Sequence, residues 1–210
     1  KDKNFVPNIV CKNTLLEVGT NDLFSIKDKS IKNFDVIATN PPWGVHFSRG
    51  DLEKLNKFYP EIKSLESFSY FLKKSIDLLS ENGIISFILP ESILSVKIHR
   101  DIREIILRDS QIIKIVYLNR VFKNVFTPVV RLDIKKCEGI KENIQIYKEE
   151  KNYSVEQERW LNNQDFVFNI HTDGVDAKII DKIYQTNHTT LKNKADLALG
   201  IVTVDNKNFI

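Results

Sequence analysis

The chain has no methionine, and its two cysteines, Cys11 and Cys137, are too few for a disulfide framework or a cysteine-based metal cluster. They read as unpaired thiols of a reducing compartment. The four histidines, His46, His99, His171 and His188, share no metal-ligand spacing with each other or with the cysteines, so no metal is expected. No apolar run approaches the roughly 18 residues of a membrane helix, and no secretory pattern opens the sequence. A soluble cytoplasmic protein without membrane association is therefore expected. Charge of one sign is also scarce: with 31 basic and 28 acidic residues the net charge is +3. Nucleic-acid binding cannot be read from that bulk value and would need a local basic surface. The seven glycines, at 19, 44, 50, 83, 139, 174 and 200, include no GxG pair, so a glycine-rich ligand-binding turn is missing.

What the sequence does contain is concentrated in four residues. Asn40-Pro41-Pro42-Trp43 closes the apolar run Phe34 to Thr39, which reads as a buried, central strand. Pro41 pushes Asn40 out of the helical region, and two successive prolines fix the following φ angles. The Asn40 side-chain oxygen and the Pro41 carbonyl can then aim at one point and accept both hydrogens of a planar NH₂ group. Such a nitrogen is a poor nucleophile because its lone pair is delocalised. Fixed acceptors that favour a more tetrahedral nitrogen localise the pair for attack, which is electrostatic preorganisation. Trp43 offers a face for the ring that carries the amine, and Gly44 lets the chain turn away. The competing reading is a proline-rich loop with Trp43 as a core plug.

With these residues the chain resembles the amino-methyltransferases that use S-adenosyl-L-methionine, and among them the DNA adenine-N6 methyltransferases of restriction-modification systems. The resemblance runs from residue 8 to residue 136. It includes Phe68-Ser69-Tyr70-Phe71-Leu72 in a helix, Asn82-Gly83-Ile84-Ile85 leading to Leu89-Pro90-Glu91-Ser92, and the segments around Ile115, Val121-Phe122 and Pro128. It implies the second half of a class I (Rossmann-like) methyltransferase sheet ending in an antiparallel hairpin. Asn40, Pro41, Pro42 and Trp43 would form the catalytic turn, and Trp43 and Phe122 would pack a target adenine flipped out of double-stranded DNA. Phe126 is an alternative to Phe122, and either aromatic is also compatible with a core role. At the cofactor the resemblance implies Phe71 together with Asn13 or its rival Asp22, although Asn and Asp also form turns for local reasons. Arg49, Arg120 and Lys123 flank these loops and suit either phosphates or solvent.

Only 33 residues precede the Phe34 strand, too few for the βα units that should come first. Together with the missing glycine turn and initiator methionine, this leads to the expectation of an internal fragment. Residues 1–148 are expected to be the C-terminal part of a catalytic domain. Its strands fall at 8–11, 34–39, 84–89, 112–118 and 128–136, with the last two paired antiparallel across a nine-residue gap. Gly83 is expected to cap the helix carrying Leu65, Phe68, Leu72, Ile76 and Leu79. Ile98, Ile102, Ile105 and Ile106 mark an amphipathic surface helix whose outer positions include His99 and Arg103. Residues 149–195 read as a connecting segment, polar to residue 164, then a strand at 166–170 and a helix at 177–183. Residues 196–210 look like the start of a target-recognition domain. Glu61-Ile62-Lys63 is set aside as a surface pair rather than part of a nuclease site. The resemblance leaves room for a restriction or specificity module as a partner. Two alternatives stay open: a methyltransferase of protein glutamine or RNA guanine, and a non-catalytic subunit that binds DNA or a partner.

Overall fold

The computed structural model describes residues 7, 9, 11, 13–16, 34–123, 125–137, 142–149, 151–191 and 194–196. The chain divides into two units, Lys1–Asp173 and Gly174–Ile210. The first is built on a mixed sheet of β1 (Phe34–Thr39), β2 (Leu79–Pro90), β3 (Ser110–Asn119), β4 (Val129–Lys136), β5 (Asn143–Lys148) and β6 (Lys151–Glu156). Their spatial order is β1-β2-β4-β3-β5-β6. β1 pairs parallel with β2 and β3 parallel with β5, while β4 runs antiparallel to both β2 and β3. The carboxyl ends of β1, β2, β3 and β5 therefore share one edge of the sheet. The fold is α/β, and β3 and β4 pair antiparallel as their short separation implies.

Helices cover one face of this sheet among the described residues. α1 (Arg49–Phe58) begins at Ser48, whose Oγ accepts the Asp51 N–H at 3.2 Å. α2 (Ser67–Leu78) buries Phe68, Leu72 and Ile76, one turn apart, and α3 (Arg100–Asp109) buries Ile102, Ile106 and Leu107. These side chains meet Ile85, Phe87 and Leu89 of β2 and Val130, Leu132 and Ile134 of β4 in one core. The other face at β4 is polar: Ser86 Oγ donates to Asp133 Oδ1 at 2.7 Å, and Arg131 Nη2 lies 3.1 Å from Asp133 Oδ2. A sheet rich in antiparallel pairs tolerates such a face. No described helix is long and apolar enough to cross a membrane.

Several expectations need correction. β1 is not buried and central: among the described residues it pairs only with β2, and Val36 is 64% exposed. The expected strand at 8–11 lies mostly outside the described residues. Gly83 does not cap α2, because the left-handed residue is Asn82 (φ 65°). Gly83 is instead needed for space, since a Cβ there would sit 2.7 Å from the Phe34 carbonyl oxygen. His99 and Arg103 are buried rather than on an outer face. The Arg103 guanidinium is satisfied by carbonyls of Ile93 and Val96 (both 2.9 Å) and of Asp165 (2.8 Å), which is why the core accepts it. Burial lowers its pKa to about 10.

The polar run after residue 149 is not a linker. β6 and the short α4 (Gln157–Leu161) extend the sheet unit, with Trp160 stacked on Phe168 at 5.0 Å between ring centroids. Buried Gln157 accepts the Ile112 N–H at 2.7 Å and donates to the Ser110 carbonyl at 2.8 Å, so a polar residue here ties α4 to β3 instead of solvating an arm. Residues 166–170 form no strand; Phe168 N–H makes one backbone bond to the Leu94 carbonyl, at 2.8 Å. In the second unit α5 (Gly174–Gln185) is the expected helix, with Ile179 and Ile183 exposed.

Candidate active site

The turn at the end of β1 is held by a hydrogen-bonded frame. Pro41 is buried, Asn40 exposed, and Gly44 takes φ 62°, a left-handed conformation that suits glycine. Ser67, the first residue of α2, donates its hydroxyl to the Pro42 carbonyl, and Gly44 N–H donates to Glu66 Oε2 at 3.4 Å. The start of α2 is itself held by α3. Asp101 Oδ2 accepts the N–H groups of Lys63 and of Ser64, the latter at 3.0 Å, and Ser64 Oγ meets Ser69 Oγ at 3.1 Å. The Pro42 carbonyl is thus used internally. Among the described residues no hydrogen bond engages the Asn40 side chain or the Pro41 carbonyl, the two acceptors that matter for an amine.

These acceptors border a cleft of about 430 Å³ whose other walls include Trp43, Phe122, Lys123 and Val125. Phe122 reaches it from the loop between β3 and β4, and its ring stands edge-on to Trp43 with centroids 6.0 Å apart and planes at 69°. Trp43 is half-buried against the core, and its buried Nε1 has no hydrogen-bond partner among the described residues. Among the described lining residues Lys123 is the one titratable group, beside the acceptors and aromatic faces. Burial, with Asp77 and Glu61 nearby, pushes Tyr59 up to about 12.

A second cleft of about 370 Å³ runs along β1, where Phe71 and Lys74 of α2 face Thr14, Val36 and Ile37. It also reaches Thr39, the residue before Asn40 of the first cleft. Lys74 Nζ donates to the Thr14 carbonyl and ties the neighbouring turn to α2. In that turn Asn13 Oδ1 accepts the N–H groups of Leu15 and Leu16, both at 3.1 Å, which is the local turn-forming role. Asp22 lies outside the described residues. Phe71 and the Asn13 turn therefore flank one cleft, whose apolar wall suits a flat heterocycle.

Glu66, Ser67 and Asp101 were not singled out by sequence reasoning. Their signal is weak, since Leu65-Glu66-Ser67 is only a polar entry to an apolar-periodic helix. Glu61 pairs with the half-buried Lys73 at 3.2 Å rather than with Lys63, whose Nζ donates to the Pro60 carbonyl, so the expected surface pair of Glu61 and Lys63 does not form. Arg120 and Lys123 are exposed, as is the Arg49–Glu53 pair. No three described His, Cys, Asp or Glu side chains come together to hold a metal.

Comparison with known proteins gives the following. The model of the family described as Eco57I restriction-modification methylase matches residues 2–126. The type II methyltransferase M.VspI of Vibrio sp. (strain 343) is 25% identical over 90% of this chain and 46% of its own length. The type II restriction enzyme and methyltransferase RM.Eco57I of Escherichia coli is 26% identical over 100% of this chain and 24% of its own length. This chain thus spans under half of either curated relative. Among solved structures, the type IIG restriction endonuclease BpuSI aligns with a TM-score of 0.54 at 14% identity, covering 70% of this chain and 22% of that one. That likeness concerns the fold.

Proposed function

Because the chain belongs to the Eco57I restriction-modification methylase family, we propose that it carries the target-base pocket of a DNA adenine-N6 methyltransferase. The observation that carries this reading is that Asn40 and Pro41 line one cleft together with Trp43 and Phe122, which puts residues able to supply two acceptors beside an aromatic wall. An adenine extruded from double-stranded DNA would lie between the acceptors and the aromatic wall. Asn40 and Pro41 would take the two hydrogens of its exocyclic amine and localise the nitrogen lone pair. Pro42 and the Ser67 hydroxyl keep the turn rigid, so the geometry exists before the base arrives. Trp43 and Phe122 would pack the ring, with the rings parting to admit it.

The methyl donor in this reading is S-adenosyl-L-methionine, which supplies a methyl group on a positively charged sulfur. Phe71 and the Asn13 turn would hold its adenine in the cleft along β1, a fit supported by the apolar wall. After transfer the nitrogen carries one proton too many. Such a cationic amine is acidic enough to lose that proton to water, without a base from the described lining residues. The described sheet is read as the second half of a class I methyltransferase sheet, with β3 and β4 as its terminal hairpin. Residues 1–148 would be its catalytic part, and residues 196–210, nearly all outside the described residues, would open a target-recognition domain. RM.Eco57I is named as a restriction enzyme as well as a methyltransferase, so a restriction module is a candidate partner here too.

The test is transfer of a labelled methyl group from S-adenosyl-L-methionine to unmethylated DNA by the native full-length protein. Label is expected at adenine N6. Asn40→Ala should lower the rate by at least about 10²-fold while DNA affinity stays within a few-fold. Activity retained in Asn40→Ala would overturn the role given to the acceptor pair.

A further inference from the structure

The loop between β3 and β4 carries more exposed aromatic surface than a base pocket uses. Phe122 turns inward to Trp43, and the Val125 N–H donates to the Phe122 carbonyl at 3.3 Å, a tight turn that also brings Val125 onto the cleft wall. The next residue, Phe126, stands outside it with 82% of its surface exposed. A phenyl ring in that position gains nothing from the fold. Lys123 and Arg120, both exposed, lie on the same loop and make it positively charged.

We propose that Phe126 is a wedge that enters the DNA duplex beside the extruded base, with Lys123 and Arg120 against the flanking phosphates; this rests on the reading of the Asn40 cleft as the target-base pocket. Extruding a base leaves a gap in the stack and an orphaned partner, and the free energy of unstacking has to be recovered by the protein. An apolar side chain slipped between base steps does so. Stacking an aromatic ring on a base is worth roughly ten- to a hundredfold in an equilibrium constant. The loop geometry divides the work: Phe122 and Val125 receive the base while Phe126, one residue beyond the cleft wall, fills the place it left. Chemistry then belongs to the β1 turn, and extrusion to this loop.

The native full-length protein is first incubated with plasmid DNA and S-adenosyl-L-methionine, and the modified adenines are mapped to locate its site. Two synthetic duplexes with that site follow: one fully paired, one with an abasic residue opposite the target, where no partner base holds the adenine in place. Phe126→Ala is expected to slow methylation of the paired duplex about tenfold or more. Its rate on the abasic duplex should stay within about threefold of wild type. With 2-aminopurine at the target position, the fluorescence rise on binding should fall in Phe126→Ala on the paired duplex alone. Phe126→Trp should restore both signals, and Phe122→Ala should impair the two duplexes alike. Equal rates for Phe126→Ala and wild type on both duplexes, or equal losses on both, would overturn the wedge and leave the pocket standing. A wild-type protein that modifies no adenine would instead remove the pocket reading and the wedge with it.

Discussion

Pro42 offers its carbonyl to a hydroxyl 25 residues further along the chain, that of Ser67. That bond decides which carbonyl of the turn is left for a ligand, and it ties the turn to the first residue of α2 rather than to a flexible loop. Ser67→Ala would remove the bond without changing any group proposed to touch the base. A lost hydrogen bond of this kind costs about 1 kcal/mol, which corresponds to roughly fivefold in rate if it is felt only in the positioning of the acceptors. The expected result is a kcat lowered by about that factor with KM for DNA unchanged, and recovery in Ser67→Thr. A KM effect with unchanged kcat would mean that the bond serves DNA binding instead. The residues of the turn were legible in the sequence because they are contiguous and chemically unusual. Its support by Ser67, Glu66 and Asp101 was not, because each bond joins common polar residues across a separation that no local pattern encodes.

Helices α2 and α3 were legible for the opposite reason, since Phe68, Leu72 and Ile76, and Ile102 and Ile106, recur every four positions, although Leu65 and Ile98, expected on the same faces, lie outside the helices and are exposed. Where an element depends on contacts rather than on period, the reading failed. β6 and α4 look polar in sequence, yet Gln157 and Trp160 are buried by partners far away in the chain. Gly83 shows how far a local rule can mislead. It follows a helix, as a capping glycine would, but β2 must pass the Phe34 carbonyl so closely that a side chain would collide with it and with Leu79 Cγ, 2.8 Å away. Overpacking against backbone costs roughly 1 to 3 kcal/mol. Gly83→Ala should therefore lower the unfolding free energy measured in urea by that amount and loosen the pairing of β1 with β2. Gly50→Ala in α1, where a Cβ meets nothing within 4 Å, should be neutral or slightly stabilising. Similar losses for both variants would show that glycine flexibility, not the close approach, sets the effect.

At the scale of the whole molecule, acid stability should depend on the link between the end of β2 and α3. His99 closes the 3-10 turn Lys97–His99, is only 4% exposed, and packs on Phe68 of α2 with ring centroids 5.0 Å apart. The contact ties the chain leaving the sheet to the helix that supports the Asn40 turn. Burial lowers the His99 pKa; Glu66 and Asp101 act to raise it and Arg103 to lower it, and the net shift is downward. The folded protein therefore keeps the ring neutral at a pH where the unfolded chain has already taken up its proton. As pH falls through about 6.5, the unfolded value, the unfolded state binds more protons and stability declines until the folded pKa is reached. One proton accounts for at most about 1.4 kcal/mol per pH unit in that window. Between pH 7 and pH 5 the thermal midpoint of the wild-type protein should fall more steeply than that of His99→Phe, which keeps an aromatic ring against Phe68 and has nothing to protonate. Parallel curves for the two proteins, measured by circular dichroism, would mean that carboxylates elsewhere govern the acid transition and that the 3-10 turn remains folded with His99 charged.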